Sequence, residues 1–440
     1  GDSGYAQEDV MTSIESTADV VVIGGGIVGC ATAYYLAKRG ASVVLVEKGE
    51  IADEQSSRNW GWVSQLRNPN EAPLALLSQS IWRELSDELG ADLDWVEGGG
   101  IYLSDDDEHH REFHSTAELM NAAGVDSRVL SRPEVEALIP EIAGNWTGGY
   151  YTPSNGQAEP AKVTAAFARA AQEMGARIYT HCAGDDLAVS GGRVQSVRTE
   201  LGTINAQTVV CAAGAWSSQI GRMVGISLPQ RKIRATVAST EPVPIFTRIN
   251  VWGGGVAVRQ RNDGSLVVAG EGTADHDMTL DSFRHTRLFM PEVRRNFGKI
   301  RPRFGAEFVR DVGRAMPWSS ARKHPFAHTV GVEPKPNMKK VRDGVKAMLG
   351  LYPHLEGKIR IDKAWAGYID GTPDRTPVIG GADGLEGFLF ATGFSGHGFA
   401  LGPGAGRVVS ELILDGEPSA DIHMMRYSRF AESDLSPYAR

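Results

Sequence analysis

The sequence predicts an α/β protein of two interleaved domains, one built on a parallel βαβ sheet and the other on a mixed, largely antiparallel sheet. Three observations predict it. A strand, glycine turn, helix, strand unit opens the chain, strand–helix segments of similar type recur in the middle and at the end, and alternating antiparallel segments lie between them. At 440 residues the chain is too long for one small core. With 42% hydrophobic and 22% charged residues it is neither disordered nor fibrous.

The opening unit reads clearly. Ala18–Ile23 is a β-branched run suited to a strand buried on both faces. Ile27 to Arg39 has apolar residues at helical spacing, and Gly40 is a C-terminal stop. Ser42–Val46 is the next strand and ends in Glu47. Leu74–Leu89, Glu108–Ala123 and Pro160–Met174 read as helices, and Asp92 to Leu103 and Gly148 to Tyr151 as strands. Ala176–Thr180, Leu187–Thr199, Val209–Ala213 and Asn250–Ala269 supply further strands. Leu280 to Leu351 reads as mostly helical, and Phe388–Leu414 as strand, glycine turn and a helix from Pro403.

Charge and cysteine usage exclude several classes. A net charge of −9 argues against nucleic acid as a partner. Between Asp281 and Lys346, however, 16 Lys/Arg face 6 Asp/Glu, a local excess of +10. That stretch is either a solvated, salt-laced face or a docking surface for an acidic partner, a second subunit or an anionic membrane. No apolar run approaches the roughly 20 residues of a membrane span. The polar, acidic start reads as a flexible lead-in ahead of Met11 rather than a secretory signal. Cys30, Cys182 and Cys211 lie far apart, without disulfide or metal-ligand spacing, so no metal and a cytoplasmic setting are expected.

Gly24-Gly25-Gly26-Ile27-Val28-Gly29 is a G-x-G-x-x-G between strand and helix, the Rossmann dinucleotide pattern. The first glycine permits the turn, the second lets backbone approach a pyrophosphate, and the third lets helix and strand close up. Phosphate charge then sits on free N–H groups at the helix N-terminus. Glu47, 18 residues after Gly29, can accept from ribose hydroxyls. To this point NAD and FAD are served equally.

The remaining motifs resemble those of the glycine/sarcosine oxidase and D-amino-acid oxidase family of flavoproteins. They are Gln55-Ser56-Ser57-Arg58-Asn59-Trp60-Gly61, Asn155-Gly156-Gln157-Ala158-Glu159-Pro160 and Ala212-Ala213-Gly214-Ala215-Trp216-Ser217. Trp365-Ala366-Gly367, Thr372-Pro373-Asp374, Pro377-Val378-Ile379-Gly380 and Gly393-Phe394-Ser395-Gly396-His397-Gly398-Phe399 follow in order. The resemblance runs from Ala18 to about Pro418. It implies a Rossmann-type FAD-binding domain from residues 16–90, 152–225 and 355–420. The substrate domain is expected from 91–151 and 226–354, with 1–15 and 421–440 as terminal extensions.

The resemblance also assigns roles. Cofactor contacts are expected from Gly24, Gly26, Ile27, Val28, Gly29, Glu47 and Lys48, and from Ser56, Ser57, Asn59, Trp60 and Gly61. Ala213, Gly214, Trp216 and Gly367 follow, then Gly393, Ser395, Gly396, His397 and Gly398. Relatives that attach the flavin use a cysteine that falls at Gly367 or a histidine that falls at Arg58, so FAD is expected to be noncovalent. The arginine or lysine that relatives use to clamp a substrate carboxylate falls at Ile369 and Ala400. Arg67, Arg234 and Arg259 are then the candidate substrate-binding cations, and Trp62, Tyr368 and His397 the pocket candidates.

The expected reaction is hydride transfer from the α-carbon of an amino acid or secondary amine to flavin N5, giving an imine that hydrolyses. N-substituted glycines, iminodiacetate-like, opine-like and D-amino acids all fit. The acceptor is oxygen or an electron carrier such as a quinone. The lysine that relatives place beside N5 falls at Val268 or a neighbour, which weakens the case for oxygen without reversing it, so an oxidase is expected ahead of a dehydrogenase. A flavin-binding subunit of a larger complex is the remaining alternative.

Overall fold

The computed structural model describes residues 13–65, 68–271, 274–295, 300–316, 318–319, 324–326, 329–331 and 333–437. Its first sheet has a parallel core in the order Arg177–Tyr179, Val43–Val46, Thr17–Ile23, Gly202–Cys211, Leu385–Thr392. The strand Gly202–Cys211 changes partner along its length. Its first half pairs antiparallel with Arg193–Thr199, and Val209–Cys211 pair parallel with Phe388–Phe390. Val20, Val22, Val43 and Leu45 point into one apolar layer, and Val21, Ile23, Val44 and Val46 into the other. Both faces are covered, which is why these strands read as unbroken β-branched runs.

The helices Ile27–Lys38, Ala72–Leu89, Pro160–Glu173 and Gly398–Leu414 cover one face. The last one begins five residues before the expected Pro403. Proline is tolerated there because its neighbour repairs the ladder. Ser78 Oγ donates to the Ala400 carbonyl at 2.5 Å and accepts from Gly404 N–H at 3.2 Å, while Trp82 Nε1 also reaches Ala400 O at 2.9 Å. Close packing explains the glycines on this helix. A Cβ on Gly406 would lie 2.5 Å from Ala31 Cβ.

The second sheet has ten strands, with Arg231–Thr240 and Ile361–Gly371 paired antiparallel over most of their length. The helix Met338–Leu351 packs on it through Met348 and Leu351. One expectation is corrected here: Asp92 to Leu103 forms a strand only over Gly100–Ser104, with an isolated bridge at Val96. The described part of the basic stretch is mostly helical, as Asp281–Arg284, Thr286–Arg295, Ala306–Ala315 and Met338–Leu351, and Ile300–Arg303 adds an edge strand beside Ala274–Asp277.

The segment after residue 420 packs against the first sheet. Arg429 is fully buried and grips Asp374 with one guanidinium edge, Nε and Nη2, at 2.9 and 3.0 Å. Tyr427, Phe430 and Leu435 join the core beside it. Cys30, Cys182 and Cys211 are free and buried. Among the described residues no helix is long and apolar enough to cross a membrane.

Candidate active site

A cleft of about 1140 Å³ opens at the C-terminal ends of the parallel strands, the usual ligand position in such sheets. Its floor is the glycine turn. Gly24 has φ +118°, and a Cβ there would lie 2.4 Å from Ala212 O. A Cβ on Gly29 would lie 1.9 Å from Gly24 O, so helix and turn close only around glycine. Gly26 caps the helix in extended geometry, and its Cβ position meets only Ser56 Oγ, at 3.1 Å. Ile27 N–H donates to that hydroxyl at 2.9 Å. A pyrophosphate fits this cradle, which a side chain at Gly26 would fill.

Glu47 stands over the turn, accepting from Gly25 N–H and Gly49 N–H at 2.7 Å each. Burial raises its pKa, and the two N–H groups oppose that shift. Each oxygen keeps a lone pair for a ribose hydroxyl, so the carboxylate both braces the turn and faces the cleft. Beyond it, Lys48 pairs with Glu54, which also accepts from Trp216 Nε1 at 2.7 and 3.0 Å. Lys48 Nζ sits 4.8 Å from the centre of the Trp216 ring.

The roof is the strand pair 231–240 and 361–371. Lys232 lies opposite Asp370, Arg234 opposite Tyr368, and Ala235 opposite Gly367. Tyr368 lines the cleft, and its hydroxyl donates to Asp277 at 2.8 Å. Burial, then Asp277, raises the phenol pKa. Arg234 faces the same carboxylate at 3.6 Å. Lys232 is buried, bonds Glu307 at 2.8 Å and stands 3.4 Å from the Trp216 ring centre. Burial lowers its pKa, against the pull of Glu307. Asp370 is pushed up to about 6 by burial, although Gly393 N–H donates to it at 2.8 Å.

The two positions at which relatives attach flavin meet in space. A Cβ on Gly367 would lie 3.1 Å from Arg58 Cβ and 2.3 Å from Gln55 Oε1. That amide oxygen is buried with no hydrogen-bond partner among the described residues. It is an acceptor aimed at a cleft whose ligand must donate.

Of the residues assigned to the cofactor, Gly24, Gly26, Ile27, Val28, Glu47, Lys48, Ser56, Asn59, Ala213, Gly214, Trp216, Gly396 and Gly398 line the cleft. Gly29, Ser57, Trp60, Gly61, Gly367, Gly393, Ser395 and His397 are not among the residues that line it, and several support neighbouring structure. Ser395, for example, accepts Thr372 N–H at 3.2 Å, and His397 caps the helix that begins at Gly398. Trp62 is only 7% exposed, stacked on Tyr102 and edge-on to Trp60, in a cluster that also includes Trp252. It packs against the second sheet through Tyr102 and Trp252 and is not among the residues that line the cleft.

Arg259 is corrected as well. At 2% exposed it donates to Trp60 O, to Gln157 Oε1 at 3.3 Å and to Glu159 Oε1 at 2.8 Å. It braces the loop at Gly61, whose φ of +83° and missing side chain make room for it. Arg234 stays in the roof behind Tyr368, and Arg67 lies outside the described residues. Gln55, Glu54 and Asp370 line the cleft without having been singled out. Asp370 was the hardest to see, because its role comes from its register against Lys232.

A parallel sheet with a glycine turn at its C-terminal edge, roofed by a second sheet, defines a dinucleotide-binding fold. Comparison with known proteins supplies the cofactor. The family model "FAD dependent oxidoreductase" matches residues 19–412, and the chain belongs to that family. It is 30% identical over 433 residues to mitochondrial sarcosine dehydrogenase of Homo sapiens, covering 96% of this chain and 42% of that protein. Glycine oxidase of Bacillus licheniformis is 26% identical, covering 90% of this chain and 93% of its own. The solved L-amino acid deaminase from Proteus myxofaciens superposes with a TM-score of 0.87 at 28% identity, over 95% of this chain and 94% of that one. The chain thus spans less than half of the sarcosine dehydrogenase and nearly all of the other two. The protein is a member of the FAD-dependent oxidoreductase family.

Proposed function

We propose that the chain oxidises the C–N bond of a secondary amine or N-substituted amino acid bulkier than glycine, by hydride transfer to flavin N5, and that the imine product hydrolyses. One observation carries this reading. The cleft offers a small substrate no uncommitted cation among the described residues that line or roof it closely: Ile369 and Ala400 are apolar, Lys48 is held by Glu54, Lys232 by Glu307, and Arg234 faces Asp277. A small amino acid would leave its carboxylate unanchored, whereas a larger amine can take affinity from contacts further out. Bound FAD supplies the two-electron acceptor. The chain's own residues position the donor: Tyr368, fixed by Asp277, walls the cleft, and the glycine loop at 396–398 limits its depth.

Anaerobic flavin bleaching with glycine, sarcosine, D-alanine, iminodiacetate and an opine-type secondary amine tests this without assuming an acceptor. The bulkier secondary amines should reduce the flavin fastest. Fastest reduction by glycine would sink the proposal. Gly367 and Arg58 favour noncovalent FAD, so acid precipitation should leave the flavin in the supernatant.

A second reading is a dehydrogenase that passes electrons to a carrier docking on the basic 281–346 stretch. Within it Phe304, Val309 and Trp318 are 64, 70 and 82% exposed, an apolar surface of the kind partners cover. Val268 is buried and apolar, leaving no lysine there to assist oxygen. A carrier dye that turns the enzyme over much faster than air-saturated buffer would favour this acceptor.

A further inference from the structure

We propose that Asp185, Glu200 and His324 form a divalent-metal site that clips His324, and with it the nearby Phe326, beside the cofactor cleft. One donor atom from each of the three lies within 4.8 Å of the others. The Asp185 side chain is 1% exposed. Its Oδ2 is 2.7 Å from His324 Nδ1, yet its Oδ1 is buried with no hydrogen-bond partner among the described residues. A buried carboxylate oxygen left without a donor is rare in folded proteins. An aspartate–histidine pair accounts for Oδ2 only, and explains neither Oδ1 nor the approach of Glu200.

The surroundings are set up for a cation. Asp185 N–H donates to Arg198 O at 2.8 Å, which fixes the buried ligand. Glu200 sits in the turn between Arg193–Thr199 and Gly202–Cys211, exposed and able to adjust. One imidazole and two carboxylates form a donor set suited to zinc-class ions, with water completing the shell. The three ligands are scattered through the sequence, so no spacing motif announces them.

The clip would act on the cleft. Two residues beyond His324, Phe326 lines the cleft and lies edge-on to Trp216, with ring centres 6.4 Å apart. Further along, Thr329 O accepts from Lys48 Nζ at 3.5 Å, and Glu333 lies 3.9 Å from Arg58. A metal at His324 would therefore help hold Phe326 against Trp216 at the cofactor site.

The test uses the full flavin-loaded chain after chelator treatment, titrated with zinc chloride by calorimetry. His114→Ala serves as background, because His110 and His114 pair on an exposed helix with ring centres 5.3 Å apart and could bind zinc adventitiously. We expect one zinc per chain, with affinity reduced roughly 10- to 100-fold in Asp185→Asn and in His324→Ala, and less in Glu200→Gln. Zinc should also slow FAD release several-fold in the parent and in none of the variants. Equal zinc affinity in parent and variants would overturn the site, and so would no zinc binding by the parent. An unchanged FAD release rate in zinc-loaded parent would overturn the clip. Should Asp185→Asn fail to fold, the exposed Glu200 and His324 variants decide alone. None of these readouts depends on which amine the enzyme oxidises.

Discussion

The floor and the roof of the cleft are built in opposite ways. The floor uses backbone: glycines at 24, 26 and 29, free N–H groups at a helix start, and one carboxylate bracing two amides. The roof uses side-chain pairs between distant segments: Lys232 with Glu307, Tyr368 and Arg234 with Asp277, and Lys232 over Trp216. A backbone cradle suits a ligand shared by a whole family. Paired side chains can be exchanged without disturbing the cradle, and so can tune the substrate.

The largest expected effects break the floor. Gly29→Val should prevent folding, since a Cβ there overlaps Gly24 O. Gly26→Val should leave a folded chain with little or no FAD, read as the flavin-to-protein ratio beside circular dichroism. If Gly26→Val keeps its flavin, the turn is structural and the contrast with the roof fails.

Arg429→Ala breaks a fully buried bidentate pair and leaves Asp374 without its partner. The expected cost is about 3–5 kcal/mol, measured by denaturant unfolding. A loss below about 1 kcal/mol would mean that the segment after residue 420 only decorates the cofactor sheet.

The two candidate arginines, one in the roof and one bracing the loop at Gly61, should behave differently. Arg259→Ala should lower stability and flavin content together, because it removes the brace under Gly61. Arg234→Ala should raise KM with smaller effect on melting temperature. Matching profiles for the two variants would erase the distinction between brace and roof.

The smallest effect is a pH dependence. Asp370 has a folded pKa of about 6, above the roughly 3.9 of an unfolded aspartate. For an acid raised in this way the folded state holds the proton longer. Its contribution is therefore fully present below pH ~4, declines between ~4 and ~6, and is flat above that. Asp370→Asn should flatten that slope, worth about 1–3 kcal/mol across the window. Parallel stability curves for parent and variant would show that Asp370 does not titrate there.

The sequence by itself determined the cofactor half of this protein. Parallel strands buried on both faces must be apolar throughout, and a turn against a phosphate must be glycine, so Ala18–Ile23 and Gly24–Gly29 are legible without a structure. The departures at Gly367, Arg58, Ile369 and Ala400 were legible too, because each stands within an ordered string of motifs. Only the tertiary structure decided what the charged residues do. Arg259 and Arg234 look alike in sequence, yet one is buried against Glu159 and the other stands over Asp277. The same holds for Asp370, set by register against Lys232, for Arg429 on Asp374, and for the meeting of Asp185, Glu200 and His324. Local geometry restricts which residue types fit, and so marks the sequence. A side-chain pair restricts only where two chain segments cross, and that position is set by packing of the whole fold.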